Sequence, residues 1–141
     1  MLKTKLLHPE ILEALGSNGH GSKLLIADGN YPFTTGVPDH AKKVFLNLAP
    51  GMFSVPDVLK IIKEMIPIES YLMMLPPDES PQSIHDEFMS ILGQDTQGIK
   101  VKKPDFYKEA RSSDTFLVIA TGEVRRFANI LLTVGVVKQD K

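Results

Sequence analysis

The 141-residue sequence contains no cysteine. Disulfides, thiolate nucleophiles and Cys-ligated zinc or iron–sulfur centres are therefore excluded. No apolar run approaches the roughly 20 residues that a membrane span needs, so no membrane partner is expected. The amino-terminal stretch starts basic but then carries Pro9, Glu10 and Glu13, without the unbroken apolar segment and small-residue cleavage site of a secretory signal. A soluble, cytoplasmic protein is the expectation. Charge of one sign is not in excess either, with 16 Lys and Arg against 17 Asp and Glu. That balance removes the electrostatic attraction behind most non-specific nucleic-acid binding, and nucleic acid is not an expected partner. The four histidines, His8, His20, His40 and His85, share no metal-ligand spacing and have no carboxylate cluster around them, so no metal site is expected.

What is present points to an α/β chain. At 43% hydrophobic residues the chain is long enough for one well-buried core and too short for two ordinary domains, so residues 1–141 read as a single domain. Short β-rich runs alternate with helical patterns, the signature of a largely parallel sheet. The expected strands are Lys23–Ala27, Lys43–Leu48, Ile68–Leu75, Gly98–Lys102, Thr115–Thr121 and Asn129–Val134. A first helix begins at Pro9 and stops at Gly16. A second starts at Ser54-Val55-Pro56-Asp57, which reads as a capping box, with Val58, Leu59, Ile62 and Met65 as its apolar stripe. Ser83-Ile84-His85-Asp86 repeats that start signal for a third helix ending at Gly93. A short fourth helix is expected at Phe106–Arg111. The Pro-rich stretch Leu75–Pro81 is a surface connection, since its prolines deny the backbone both helix and ladder bonds.

The segment Gly16–Lys23 superficially resembles a phosphate-binding loop, but it follows a helix and precedes a strand, the reverse of what phosphate cradling needs. Its more informative content is Gly19-His20-Gly21. Glycines on both sides free the backbone for unusual angles or close approach, which displays the imidazole rather than packing it. A short apolar strand follows, and Asp28-Gly29 stands at its carboxyl end, where open α/β sheets place ligand sites. The same residues also read as two ordinary turns, since Asp-Gly pairs are common turn formers. A second stretch, Thr121-Gly122-Glu123 through Phe127-Ala128-Asn129, offers an aromatic face and an amide, the usual means of holding a sugar's C–H surface and hydroxyl rim. An aromatic entering a strand equally reads as core, and Arg125-Arg126 as a solvated turn.

Together these blocks resemble the fucose mutarotase and ribose pyranase family (RbsD/FucU) over nearly the whole length. The carrying residues are Met1-Leu2-Lys3 with Pro9-Glu10-Ile11-Leu12, Gly19-His20-Gly21, Ala27-Asp28-Gly29-Asn30-Tyr31-Pro32, Phe106-Tyr107, and Thr121-Gly122-Glu123 with Phe127-Ala128-Asn129-Ile130-Leu131-Leu132 and Gly135-Val136-Val137. The resemblance implies a three-layer α/β/α subunit with a largely parallel sheet of about six strands. It also implies a homo-oligomeric, typically decameric, ring with sites near subunit boundaries, a monosaccharide substrate and no cofactor. By the same resemblance His20 is the catalytic residue, Asp28 binds substrate, and Phe127-Ala128-Asn129 is the sugar-binding tripeptide, with Phe127 where the family commonly has Tyr. The family's further Arg or His falls on Lys103 when anchored on Phe106-Tyr107, or on Asp105 when counted back from Thr121. Lys103 is preferred, because a cation then replaces a cation.

The implied reaction interconverts cyclic forms of a free sugar, L-fucose or a similar one in the first place and D-ribose as the alternative. Ring opening needs a group that gives and takes a proton near neutral pH, and histidine, with an ordinary pKa of about 6.5, suits it. A non-enzymatic sugar-binding accessory to a transporter is the reading from another class.

Overall fold

The computed structural model describes residues 1–139. Four helices, α1 (Pro9–Gly16), α2 (Val55–Lys63), α3 (Ser83–Leu92) and α4 (Lys103–Ala110), alternate with six strands: β1 (Lys23–Ala27), β2 (Lys42–Phe45), β3 (Ile68–Leu75), β4 (Gln97–Lys102), β5 (Thr115–Ala120) and β6 (Ile130–Val134). The strands form one sheet in the order β2-β5-β1-β6-β3-β4. β5 is parallel to both β1 and β2, and β3 is parallel to β4, while β6 runs antiparallel to β1 and β3. The sheet is thus mixed but largely parallel, with β6 alone reversed.

Alternation along the strands builds two cores. Leu24 and Ile26 of β1, with Leu117 and Ile119 of β5, pack against Ile11 of α1, Leu59 and Ile62 of α2 and Phe88 of α3. Leu25 and Ala27, with Val118 and Leu131, face the opposite side, where Phe106 and Ala110 of α4 join Tyr31, Val37 and Ala41 of the β1–β2 connection. Successive strand residues point to opposite faces, so a strand covered on both sides must be apolar throughout; Leu24 to Ala27 are all fully buried. The result is three layers, α/β/α.

Several boundaries differ from expectation. β2 stops at Phe45 because its partner β5 ends at Ala120; only the Leu46 N–H still reaches the Ala120 carbonyl, at 2.8 Å. β6 begins at Ile130, since the side chain of Asn129 is engaged elsewhere. The Ser54 hydroxyl does cap α2, accepting from the Asp57 N–H at 3.2 Å. Ser83 is not the cap of α3: that position is Gln82, which makes no side-chain cap and instead turns its amide back to the Ser80 carbonyl. α4 starts three residues early, at Lys103, because Pro104 fits a first turn where an N–H has no helical partner anyway.

Candidate active site

The carboxyl ends of β1, β3 and β4 and the loop entering β6 enclose an open cleft of about 500 Å³. At its base lies Asp28, 3% exposed. Its Oδ1 accepts from the Asn30 N–H at 3.0 Å and its Oδ2 from the Ala128 N–H at 3.3 Å. Its own N–H donates to Oδ1 of Asn129 at 2.8 Å. Burial pushes the Asp28 carboxyl above its usual range, assisted by the Glu123 charge and opposed by the backbone donors of Asn30, Ala128 and Tyr31. Because its oxygen is committed to Asp28, Asn129 is left with two amide N–H donors at the cleft wall. Ala128 itself points away into the core, so it serves the site through its backbone N–H.

The loop carrying these residues is held from beneath. Glu123 is buried, and its carboxylate accepts from Arg125 Nε at 2.9 Å, from the Arg125 backbone N–H at 3.1 Å and from the Val55 N–H at the start of α2 at 3.2 Å. Burial alone would raise this carboxyl, but the Arg125 and Val55 donors and the Arg125 charge together hold it below the usual carboxylate range. Arg125 also pairs with Glu87 of α3. So fastened, the loop carries Phe127 at φ +57°, the left-handed region that non-glycine residues rarely occupy. The half-buried Phe127 ring lines the cleft, with the Arg126 guanidinium 5.3 Å from its centroid.

The facing wall comes from α4 and the β1–β2 connection. Tyr107 stacks on Tyr31 at 5.1 Å with 13° between planes, and Tyr31 is itself fixed by its hydroxyl donating to the Gly36 carbonyl at 2.7 Å. Lys103 also lines the cleft, its Nζ 5.6 Å from the Tyr107 centroid. Asp105, the competing position, faces a different groove beside β3 and β4. Burial raises the Tyr107 hydroxyl pKa, and the Asp28 charge adds to it. Asn30, Tyr31, Tyr107 and Arg126 were not singled out as site residues from sequence. The available signal was the paired aromatic Phe106-Tyr107, of which only Phe106 is fully core.

His20 lies elsewhere. Its glycine neighbours do display it: Gly21 takes φ +85°, and the imidazole side chain is 59% exposed. It stands, however, before the amino end of β1, where Gly21 N–H meets the Val134 carbonyl at the far end of β6. Its Nε2 is 3.0 Å from Oε2 of Glu69 at the start of β3. Five strand residues at about 3.3 Å each put roughly 16 Å between the ends of β1. Five predicted site residues, Asp28, Lys103, Phe127, Ala128 and Asn129, are brought together, and His20 of the same chain is not.

Among the described residues no group of three or more His, Asp or Glu gathers as a metal site, and no helix is long and apolar enough to cross a membrane. Comparison with known proteins agrees with the fold. The solved structure of Bacillus subtilis RbsD complexed with D-ribose superposes with a TM-score of 0.85 at 26% identity, covering 98% of this chain and 100% of that one. A D-ribose pyranase of Variovorax paradoxus is 30% identical over 96% of this chain and 98% of its own length. A fucose mutarotase of Danio rerio is 29% identical over 96% and 93%. The family model described as the RbsD / FucU transport protein family matches residues 1–137, and the chain belongs to that family.

Proposed function

We propose that this chain is an isomerase that interconverts the cyclic forms of a free monosaccharide, with the Asp28 cleft as its sugar site. The observation that carries this reading is the Asp28–Ala128–Asn129 lock: a buried acceptor and a freed amide donor, in a cleft that Tyr107 and Phe127 also line. A sugar presents hydroxyls at its rim and C–H bonds on its faces, and this wall pairs with both. L-Fucose or a similar sugar is the first candidate substrate and D-ribose the second, the relatives bearing both names.

In this reading His20 supplies the proton exchange. It protonates the ring oxygen as the bond from that oxygen to the anomeric carbon breaks. Solvent water takes the proton that leaves the anomeric hydroxyl as the carbonyl forms, and solvent then reprotonates His20, while Asp28, Asn129 and Lys103 fix the hydroxyls so that the opening geometry is populated. Such general acid/base help contributes roughly 10²–10⁴-fold, enough for a reaction that already proceeds slowly in water. No cofactor enters the scheme. Since His20 and Asp28 of one chain stand at opposite ends of β1, His20 reaches the sugar from a second copy. Sites shared between copies fit a closed homo-oligomer, a decameric ring by family resemblance.

Saturation-difference NMR on fucose, ribose, galactose and glucose, with and without protein, tests the proposal by reading anomer and ring-form exchange directly. The wild type should accelerate exchange of one sugar, and His20→Ala should lose that acceleration while keeping its fold. Binding without exchange would replace this reading by a sugar-binding accessory, and an undiminished His20→Ala rate would remove His20 from catalysis.

A further inference from the structure

One buried titratable group has no part in the scheme above. His85, on the first turn of α3, is 1% exposed. Its Nε2 is 3.1 Å from the carbonyl oxygen of Phe127, a pairing that requires the proton on Nε2. The Met74 carbonyl also faces the ring. Met74 and Phe127 both line the cleft, so the imidazole stands directly behind two pieces of its wall.

The bond to Phe127 falls on the one strained residue of the tripeptide. A phenylalanine at φ +57° persists only if its surroundings hold it there. Removing the donor leaves a carbonyl with nothing to accept from at that position, and the peptide is then free to relax toward negative φ. Two things move with it: the plane of the Phe127 ring, and the adjoining Ala128 N–H that grips Oδ2 of Asp28. Burial holds the His85 imidazole below its ordinary pKa, with the nearby Lys100 charge acting in the same direction and Asp86 and the two carbonyls opposing it. The neutral ring then has one N–H to give, and the geometry places it on Phe127.

We propose that His85 is a positioning residue for the sugar site, holding Phe127 in its left-handed conformation and, because the Phe127 carbonyl and the Ala128 N–H belong to one planar peptide, aligning that N–H on Asp28. It touches no sugar atom and takes no proton from one. This rests on the reading of the Asp28 cleft as the sugar site, so one arm of the test is read without sugar.

Three variants of the full-length chain separate the outcomes. His85→Leu fills the volume without a donor, His85→Gln returns an amide N–H at comparable reach, and His85→Asn carries a donor too short to arrive. Without sugar, amide hydrogen exchange at Ala128 should be protected in wild type and His85→Gln and lose protection in His85→Leu and His85→Asn. With the sugar whose exchange the wild type accelerates, His85→Leu should raise KM about tenfold with kcat within about twofold, the pattern of lost binding rather than lost chemistry. His85→Gln should restore most of it. If His85→Leu does not fold, the Gln and Asn pair gives the same contrast. Wild-type KM and Ala128 protection in His85→Leu, or His85→Gln as impaired as His85→Asn, overturns the proposal. If no sugar binds even the wild type, the function above fails, and the Ala128 arm still decides whether His85 holds the loop.

Discussion

Phe127 carries two burdens that ordinarily fall on different residues. Its backbone occupies a left-handed turn that would suit glycine or asparagine better, while its ring forms part of a cleft wall under the Arg126 guanidinium. A glycine would ease the turn and remove the stacking face. The aromatic residue is therefore consistent with ligand contact, and it is half-buried rather than fully core. Phe127→Leu keeps a similar apolar bulk but loses the flat face, and sugar affinity measured by calorimetry should fall about fivefold, stacking contributing on the order of 1 kcal/mol. Thermal stability should change little. A large loss of stability with affinity unchanged would make Phe127 a packing residue instead. Phe127→Tyr restores the hydroxyl common in the family and should leave the exchange rate within a few-fold, because proton exchange is assigned to His20. A gain of orders of magnitude would mean that the missing oxygen carries much of the chemistry.

Among the elements, the strands and the first two helices were legible because each rests on a local rule. Short β-rich apolar runs, a proline in the first turn of α1 and the Ser54 cap need no knowledge of the rest of the chain. The misplaced ends have non-local causes: β2 ends where β5 ends, and Asn129 leaves the β6 ladder to serve Asp28. The site divides the same way. Asp28 and Phe127-Ala128-Asn129 could be read from short contiguous motifs, whereas Tyr107 and Tyr31 meet only because α4 packs over the β1–β2 connection. The loop between β5 and β6 depends on one close approach. Gly51 N–H donates to the Gly122 carbonyl at 2.6 Å, and a Cβ on Gly122 would collide with the carbonyl oxygens of Ala49 and Met52. Backbone cannot move aside as a side-chain tip can. Gly122→Ala should therefore cost about 1–3 kcal/mol, as overpacking does, read as a lowered denaturation midpoint, with sugar affinity falling as the loop to Phe127 shifts. An unchanged midpoint would show that this crossing is looser than its geometry.

At the scale of the whole molecule, the direction of β1 decides how many chains a site requires. Asp28 follows the strand and His20 precedes it, so one chain holds the Asp28 cleft at the carboxyl end of β1 and the displayed imidazole, paired with Glu69, at its amino end. A hydrogen bond spans about 3 Å, far short of the roughly 16 Å strand between them. If both residues act on one sugar, they come from different copies, and each copy contributes to two sites. This makes a complementation test available. At sugar concentrations far below the KM of the Asp28→Asn variant, His20→Ala and Asp28→Asn homo-oligomers should each be nearly inactive, one lacking the proton exchanger and the other holding the sugar weakly in every site. When the two are mixed, unfolded and refolded together at equal ratio, a site is intact only where a His20 from the Asp28→Asn chain meets an Asp28 from the His20→Ala chain. Random assembly in a ring makes that true of about one site in four, so exchange should recover to about a quarter of the wild-type rate. Light scattering on the same sample should give a mass well above a dimer. A mixture as inactive as its parents, in an oligomer shown by mass to contain both chains, would mean that His20 and Asp28 do not share a site across copies, and the proton exchanger would have to be sought within the cleft itself, where the Tyr107 hydroxyl feels the charge of Asp28.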